Sequence, residues 1–260
     1  MGYGTIGILG GMGPAAGLHF AQMLVSLNGA AKKDADHVHF VLHSYPRIPS
    51  RVDSFHHRTA SPVPALVASL DRLEAHGADF GVIVCNTAHI YFEELVAQVS
   101  LPVIHMISNA ARHAAGLATE RPRAGLLATT ATVKSGLYRR HFEAAGIEVV
   151  VPNDEEQGLV TSAIFGPETG IKATGMAVSR EARENLSEAA ARLRERTGVR
   201  HLILGCTELS FASSAVAWKG FGIIDPVDLL ARTCLTMALS QADEDAPLSA
   251  QSRPRAPLLG

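Results

Sequence analysis

Two short segments, one in each half of the chain, constrain its fold more than anything else it contains. Gly81-Val82-Ile83-Val84 runs into Cys85-Asn86-Thr87-Ala88-His89, and Leu202-Ile203-Leu204-Gly205 runs into Cys206-Thr207-Glu208-Leu209. Each is an apolar run that ends in a cysteine, with a hydroxyl residue just beyond. A run that short, bounded by small and polar residues, reads as a strand buried on both faces of a parallel sheet. Ligands of open α/β sheets bind outside the carboxyl ends of the strands. Both thiols are therefore expected at a ligand-binding edge.

The rest of the chain alternates in the same way. Thr5–Leu9 reads as a strand, Gly10-Gly11-Met12-Gly13-Pro14 as its turn, and Ala15 to Asn28 as a helix with Pro14 at its start. His37–His43 reads as a strand, followed by an irregular loop, Tyr45–Arg51, broken by two prolines. Pro64–His76 has helical spacing and ends at Gly77. Pro102–His105 is a short strand. In the second half, strands are expected at Arg123–Leu127, Ile147–Val151 and Gly222–Ile224, and helices at Leu137–Ala145, Ser179–Thr197 and Pro226–Ser240. Ala128-Thr129-Thr130-Ala131-Thr132 reads as a polar turn. Gly7 to Cys85 and Gly125 to Cys206 are each about 80 residues apart, which suggests a duplicated α/β unit. The segment from Gln241 to Gly260, rich in Pro, Ala, Ser and charge, is expected to be disordered.

The balance of residues excludes several partner classes. A net charge of −2 offers nothing to nucleic acid or an anionic membrane surface. No apolar run approaches the roughly 20 residues of a membrane span. Thr5-Ile6-Gly7-Ile8-Leu9 lacks the flanks of a signal peptide, and a cytoplasmic protein is expected. Three cysteines do not make a disulfide framework. No zinc-type spacing occurs among the 12 histidines, so no metal is expected.

A free cysteine also packs as a small hydrophobe, and Cys234, inside the final helix, reads that way. Cys85 and Cys206 differ, because each ends a strand and is followed by polar residues that a core does not want. Two thiols on opposite sides of one carbon can take a proton from one face and return it on the other. A thiol needs its thiolate to act as a base, and a helix beginning after each cysteine is expected to lower its pKa. Asn86, Thr87 and Thr207 are candidate donors. The glycine turn lacks the P-loop ending and fits an anion cradle for a carboxylate better than a nucleotide site. Thr129 and Thr130 fit ligand contact and helix capping equally. Arg51 and Lys172, taken alone, fit solvated charges better than ligands, and Glu208 fits a group that orients or protonates a neighbour or an N-terminal helix charge.

Gly7-Ile8-Leu9-Gly10-Gly11-Met12-Gly13-Pro14, Cys85-Asn86-Thr87-Ala88-His89, Gly125-Leu126-Leu127-Ala128-Thr129-Thr130 and Gly205-Cys206-Thr207-Glu208-Leu209 together resemble the aspartate/glutamate racemase family. The resemblance implies two similar α/β domains, each a mostly parallel sheet flanked by helices, related by a pseudo-two-fold with the site in the cleft. The expected division is 1–106 with 225–240, and 107–224. It also implies a cofactor-independent racemase of an acidic amino acid, aspartate or glutamate, acting as a homodimer. Cys85 and Cys206 match the family's acid/base pair, and Arg51 and Lys172 its substrate-carboxylate ligands. Met12, Asn86, Thr87, Thr129, Thr130, Thr207 and Glu208 are the further substrate-binding candidates. Arg51 and Lys172 are expected to be exposed in the empty cleft. Ser50 stands where the family often has an acidic residue, and Gly17 where it often has threonine. Relatives acting on other carboxylates, of the hydantoin racemase, maleate isomerase or arylmalonate decarboxylase type, remain open, as does a non-catalytic amino-acid-binding protein.

Overall fold

The computed structural model describes residues 4–116, 122–175, 177–216, 218 and 220–244. The first half runs β1 (Ile6–Gly10), α1 (Pro14–Leu27), β2 (Phe40–Ser44), α2 (Arg51–Phe55), α3 (Val63–Ala75), β3 (Phe80–Ile83), α4 (Phe92–Val96), β4 (Val103–Ile104) and α5 (Met106–Ala114). The second runs β5 (Arg123–Ala128), α6 (Thr130–Lys134), α7 (Leu137–Ala144), β6 (Glu148–Val150), α8 (Asp154–Phe165), α9 (Ile171–Thr174), α10 (Arg180–Thr197), β7 (His201–Gly205), α11 (Thr207–Ala212), β8 (Gly222–Ile224) and α12 (Pro226–Glu244).

These strands form two four-stranded sheets with the same order, β2-β1-β3-β4 and β6-β5-β7-β8. Every pairing is parallel. Parallel strands need crossovers, and the helices supplying them cover both faces. The central strands β1 and β3 are buried along their whole length, so their sequences are continuous apolar runs rather than alternating ones. The register Leu9↔Ile83 and Ala128↔Gly205 aligns the carboxyl ends of each central pair. Strand order reverses between the members of each pair, β1/β3 and β5/β7, which makes them the switch points where such sheets open a crevice. The cysteine segments and the turns after β1 and β5 all emerge there.

Around the sheets, apolar clusters hold the helices in place. Phe20, Leu24, Val82, Leu230 and Cys234 pack together, bringing α12 back onto the first sheet. Leu186, Leu193, Leu202 and Leu204 fix α10 against the second. Gly17 lets α1 lie close on β1, since a Cβ there would stand 3.2 Å from the Gly10 Cα. Threonine at this position would have to push the helix away, so the glycine serves packing, and it does not line the cavity described below.

Several expectations shift. Arg51 is not in irregular loop but begins α2, capped by Ser50, whose Oγ accepts from the Asp53 N–H at 3.2 Å. Thr130 and Thr132 are helical rather than part of a turn, because Thr129 caps α6. Helix α12 continues past Ser240 to Glu244, so the expected disordered segment starts no earlier than residue 245, and 245–260 lie outside the described residues. Among the described residues no helix is long and apolar enough to cross a membrane.

Candidate active site

A cavity of about 810 Å³ opens between the carboxyl ends of the two sheets. Cys85 and Cys206 both line it, both are free thiols, and each is only 5% exposed. Cys85 leaves β3 through a tight turn. Its carbonyl accepts from His89 Nδ1 at 2.9 Å, while His89 Nε2 accepts from the Met106 N–H at 3.2 Å. That pattern requires the neutral Nδ1–H imidazole. Burial, above all, holds His89 down to about 4, so it stays neutral and pins the backbone behind the thiol.

Cys206 caps α11, and its Sγ donates to Glu208 Oε2 at 3.0 Å. The same oxygen accepts from Thr207 Oγ1 at 3.1 Å, and Oε1 is paired to the Lys172 ammonium. Lys172 Nζ also reaches the Met12 carbonyl at 3.5 Å, and the Gly13 N–H points to Glu208 Oε1 at 3.4 Å. Burial works to raise Glu208, but the Lys172 charge and the hydrogen bonds from Cys206, Lys172 and the backbone together outweigh it and hold the carboxylate below its usual value. Burial likewise works to lower Lys172, and the charge and hydrogen bond of Glu208, with the nearby cysteine sulfurs, together outweigh that, holding the ammonium above its usual value. The Cys206 thiol is pushed far up, by burial first and then by the Glu208 charge, with Lys172 opposing. The expected lowering by a helix N-terminus is thus overturned at Cys206: α11 is six residues long, and burial of the sulfur, with a carboxylate 3.0 Å away, outweighs it.

The other expected residues are brought to the cavity with altered partners. Met12, Arg51, Asn86, Thr87, Thr129, Lys172, Thr207 and Glu208 line it, and Thr130 does not. Arg51 is half-buried rather than exposed, with Nη1 donating to the carbonyls of Ile48 and Pro49 at 3.0 Å each. Lys172 is ion-paired rather than free. The Thr87, Thr129 and Thr132 hydroxyls stand 3.0–3.1 Å from one another in a closed ring across the two halves. They fasten the cleft and leave few donors for a ligand. The expected carboxylate cradle at the glycine turn already faces a carboxylate, that of Glu208. Gly11, at φ +95°, passes so close to Tyr45 that a Cβ would meet its backbone at 2.5 Å.

A model of the Asp/Glu/hydantoin racemase family matches residues 9–234. The chain belongs to that family. It is 31% identical to the aspartate racemase of Picrophilus torridus, with a TM-score of 0.77 over 90% of this chain and 94% of that one. An aspartate racemase homologue from Pyrococcus horikoshii superposes with a TM-score of 0.69 at 24% identity, covering 90% and 99% of the two chains. A broad specificity amino-acid racemase of Bacillus subtilis is 30% identical over 159 residues, 59% of this chain and 67% of that protein. The two-domain α/β architecture expected from the resemblance is the one observed.

This racemase-family chain also uses residues that sequence reasoning passed over. Tyr138, on α7 in the second half, is fully buried and donates its hydroxyl to Asn86 Oδ1 in the first. In the sequence it reads as a helix core position, and nothing local distinguishes it. Leu18, Phe165 and Phe211 form an apolar lip on the cavity, with Leu18 56% and Phe165 40% exposed. Among the described residues no group of three His, Cys, Asp or Glu side chains is placed to hold a metal ion.

Proposed function

We propose that this chain is an amino-acid racemase that inverts the α-carbon of aspartate or glutamate by two-thiol proton transfer, with the chain's own side chains as the only catalysts. One observation carries the reading: two buried, free thiols from equivalent strand ends of two like sheets line one cavity. The substrate α-carbon lies between the sulfurs. A thiolate on one face takes the α-proton, and the C–H electron pair passes into the carboxylate as an enolate. The thiol on the other face delivers its proton to carbon and becomes the thiolate. No atom is gained or lost, and the proton rests on the other sulfur, ready for the reverse inversion.

The barrier is the weak acidity of the α-proton, which preorganised donors around the carboxylate must offset. Arg51 suits this role. Its Nη1 hydrogens are committed to two carbonyls, which fixes the guanidinium plane and leaves Nη2 and Nε for a bidentate carboxylate contact. Cys206, its proton directed at Glu208, rests as the thiol and so acts first as the acid. Proton NMR in D2O with chiral chromatography of the product tests the reading: L-aspartate or L-glutamate should gain α-deuterium and be recovered as both enantiomers. If no amino acid gained α-deuterium, the racemase reading would fall.

A second reading of the substrate is favoured by the Lys172–Glu208 pair. A lysine already neutralised has less to offer a side-chain carboxylate, and the apolar lip of Leu18, Phe165 and Phe211 suits an uncharged side chain. Methionine or leucine turning over faster than aspartate in the same NMR screen would select this reading.

A further inference from the structure

Asn86 is 2% exposed, follows Cys85 directly and lines the cavity. Its amide is half satisfied. Oδ1 accepts from the Tyr138 hydroxyl, and Nδ2 is buried with no partner among the described residues. Nearly all buried polar groups are hydrogen-bonded, and one that is not points to a missing partner. The unpartnered group here is a donor, so the partner that completes it is an acceptor.

The oxygen and nitrogen of such an amide differ only in their hydrogen bonds, so whatever holds one end dictates what the other presents. Tyr138 holds the oxygen end. Its ring is buried in the apolar cluster of Ile107, Leu137, Phe142, Ile203 and Ile224, where a hydroxyl without an acceptor would be costly. Asn86 Oδ1 is that acceptor. Burial first, and then Asp225 and Cys206, push the hydroxyl far above its ordinary pKa, so it remains a donor throughout the working pH range. With the oxygen claimed, the amide hydrogens are directed away from Tyr138.

We infer that Tyr138 is a positioning residue for the racemase reaction: it locks the Asn86 amide so that Nδ2–H donates to the substrate carboxylate as the α-proton leaves. The inference rests on the racemase reading and gives the second domain a role in the donor set of the first. A donor aimed at the enolate oxygen strengthens as charge builds there, so its loss falls on kcat more than on KM.

The experiment compares Tyr138→Phe, Asn86→Ala, Asn86→Asp and the double variant Tyr138→Phe/Asn86→Ala, using whichever amino acid the parent enzyme racemises fastest. Thermal melts establish that each is folded. Tyr138→Phe should lose about tenfold or more in kcat with little change in KM. Its effect should shrink to about twofold or less in the Asn86→Ala background, because two residues that act as one unit are not additive. Asn86→Asp keeps an acceptor for Tyr138 but presents an acceptor to the cavity, and should be as impaired as Asn86→Ala. Parental kcat in Tyr138→Phe, or losses that multiply in the double variant, would overturn the inference while leaving the racemase reading intact. A parent that exchanged no α-proton would instead overturn the racemase reading, and with it this role for Tyr138.

Discussion

Glu208→Gln separates charge from shape at the centre of the site. The carboxamide fills the same space but keeps one acceptor oxygen: turned to Lys172, it sets its NH2 donor against Cys206 and Thr207, and the negative charge is gone. Two effects follow. The first is on stability. Removing one partner of a buried ion pair costs about 3–5 kcal/mol when the other charge is left stranded. Lys172 is 27% exposed and keeps an amide acceptor, so a loss of about 2 kcal/mol is expected. For a chain of this size that lowers Tm by about 4–8 °C.

The second effect is on Cys206. In the parent, a Cys206 thiolate would stand 3.0 Å from the Glu208 carboxylate. Two unit charges at that distance repel by about 5 kcal/mol at an effective dielectric constant of about 20. Glutamine removes the repulsion, so that burial alone still opposes the thiolate while Lys172 favours it. The Cys206 pKa therefore falls. The assay is alkylation by iodoacetamide between pH 6 and 9, with the label located by mass spectrometry. Cys206 should react at least about tenfold faster in Glu208→Gln at neutral pH, since the thiolate is the nucleophile. Racemisation should drop by about 10–100-fold, because the acid of the pair is mistuned. Alkylation of Cys206 that stayed the same or slowed would refute the claim that Glu208 keeps this thiol protonated.

Other outcomes follow from the same geometry. Cys85→Ala and Cys206→Ala should each abolish racemisation yet retain slow α-proton exchange, each for a different enantiomer, as read by NMR in D2O; racemisation at the parental rate in both would refute the two-thiol mechanism. Arg51→Lys keeps the charge but loses the bidentate fork, and should raise KM by about 10-fold or more in steady-state kinetics. His89 is neutral when folded, with a pKa near 4 against 6.5 in the unfolded chain. Below pH 6.5 the unfolded state therefore binds a proton that the folded state refuses. Stability should fall as pH drops from about 6.5 to 4, by roughly 3 kcal/mol from this residue, and denaturant melts of His89→Gln should show a weaker acid dependence over that window.

How much of this was legible beforehand depended on whether the signal was local. The central strands were readable because burial on both faces makes each a short, continuous apolar run. The cysteines were readable as site residues because polar neighbours follow them at strand ends. Helix α8 was not read, although Asn153 and Glu156 form a capping box at its start, a signal present in the sequence. Arg51 and Lys172 were readable as charged residues of the cleft, but their partners were not. The pairing of Lys172 with Glu208 joins positions 36 residues apart, and that of Tyr138 with Asn86 joins positions 52 apart. Such contacts, the first within the second half and the other across the two halves, exist only in the packed fold, and periodicity carries no trace of them. The thiol pKa expectation failed at Cys206 for the same reason: the helix start was visible, while the carboxylate opposing it was legible only as a charge of unknown direction.

The duplicated fold makes the site chemically symmetric at the level of strands and asymmetric at the level of neighbours. Both thiols follow the third strand of a like sheet, as inversion requires of two groups facing one carbon. Around Cys206 stand a carboxylate and an ammonium; around Cys85 stand an amide and a neutral imidazole that touches only its backbone. A racemase whose two thiols had identical surroundings would have no preferred resting proton. On the proposed two-thiol mechanism, the Glu208 carboxylate helps to hold the proton on Cys206, which assigns the first base role to Cys85. The asymmetry costs nothing at equilibrium, because an enzyme cannot alter the ratio of two enantiomers in solution. In the proposed mechanism it acts on rates, setting which enantiomer finds the resting enzyme correctly protonated. Reversing the environments, rather than exchanging the cysteines, is therefore what would reverse the enantiomer the resting enzyme turns over first.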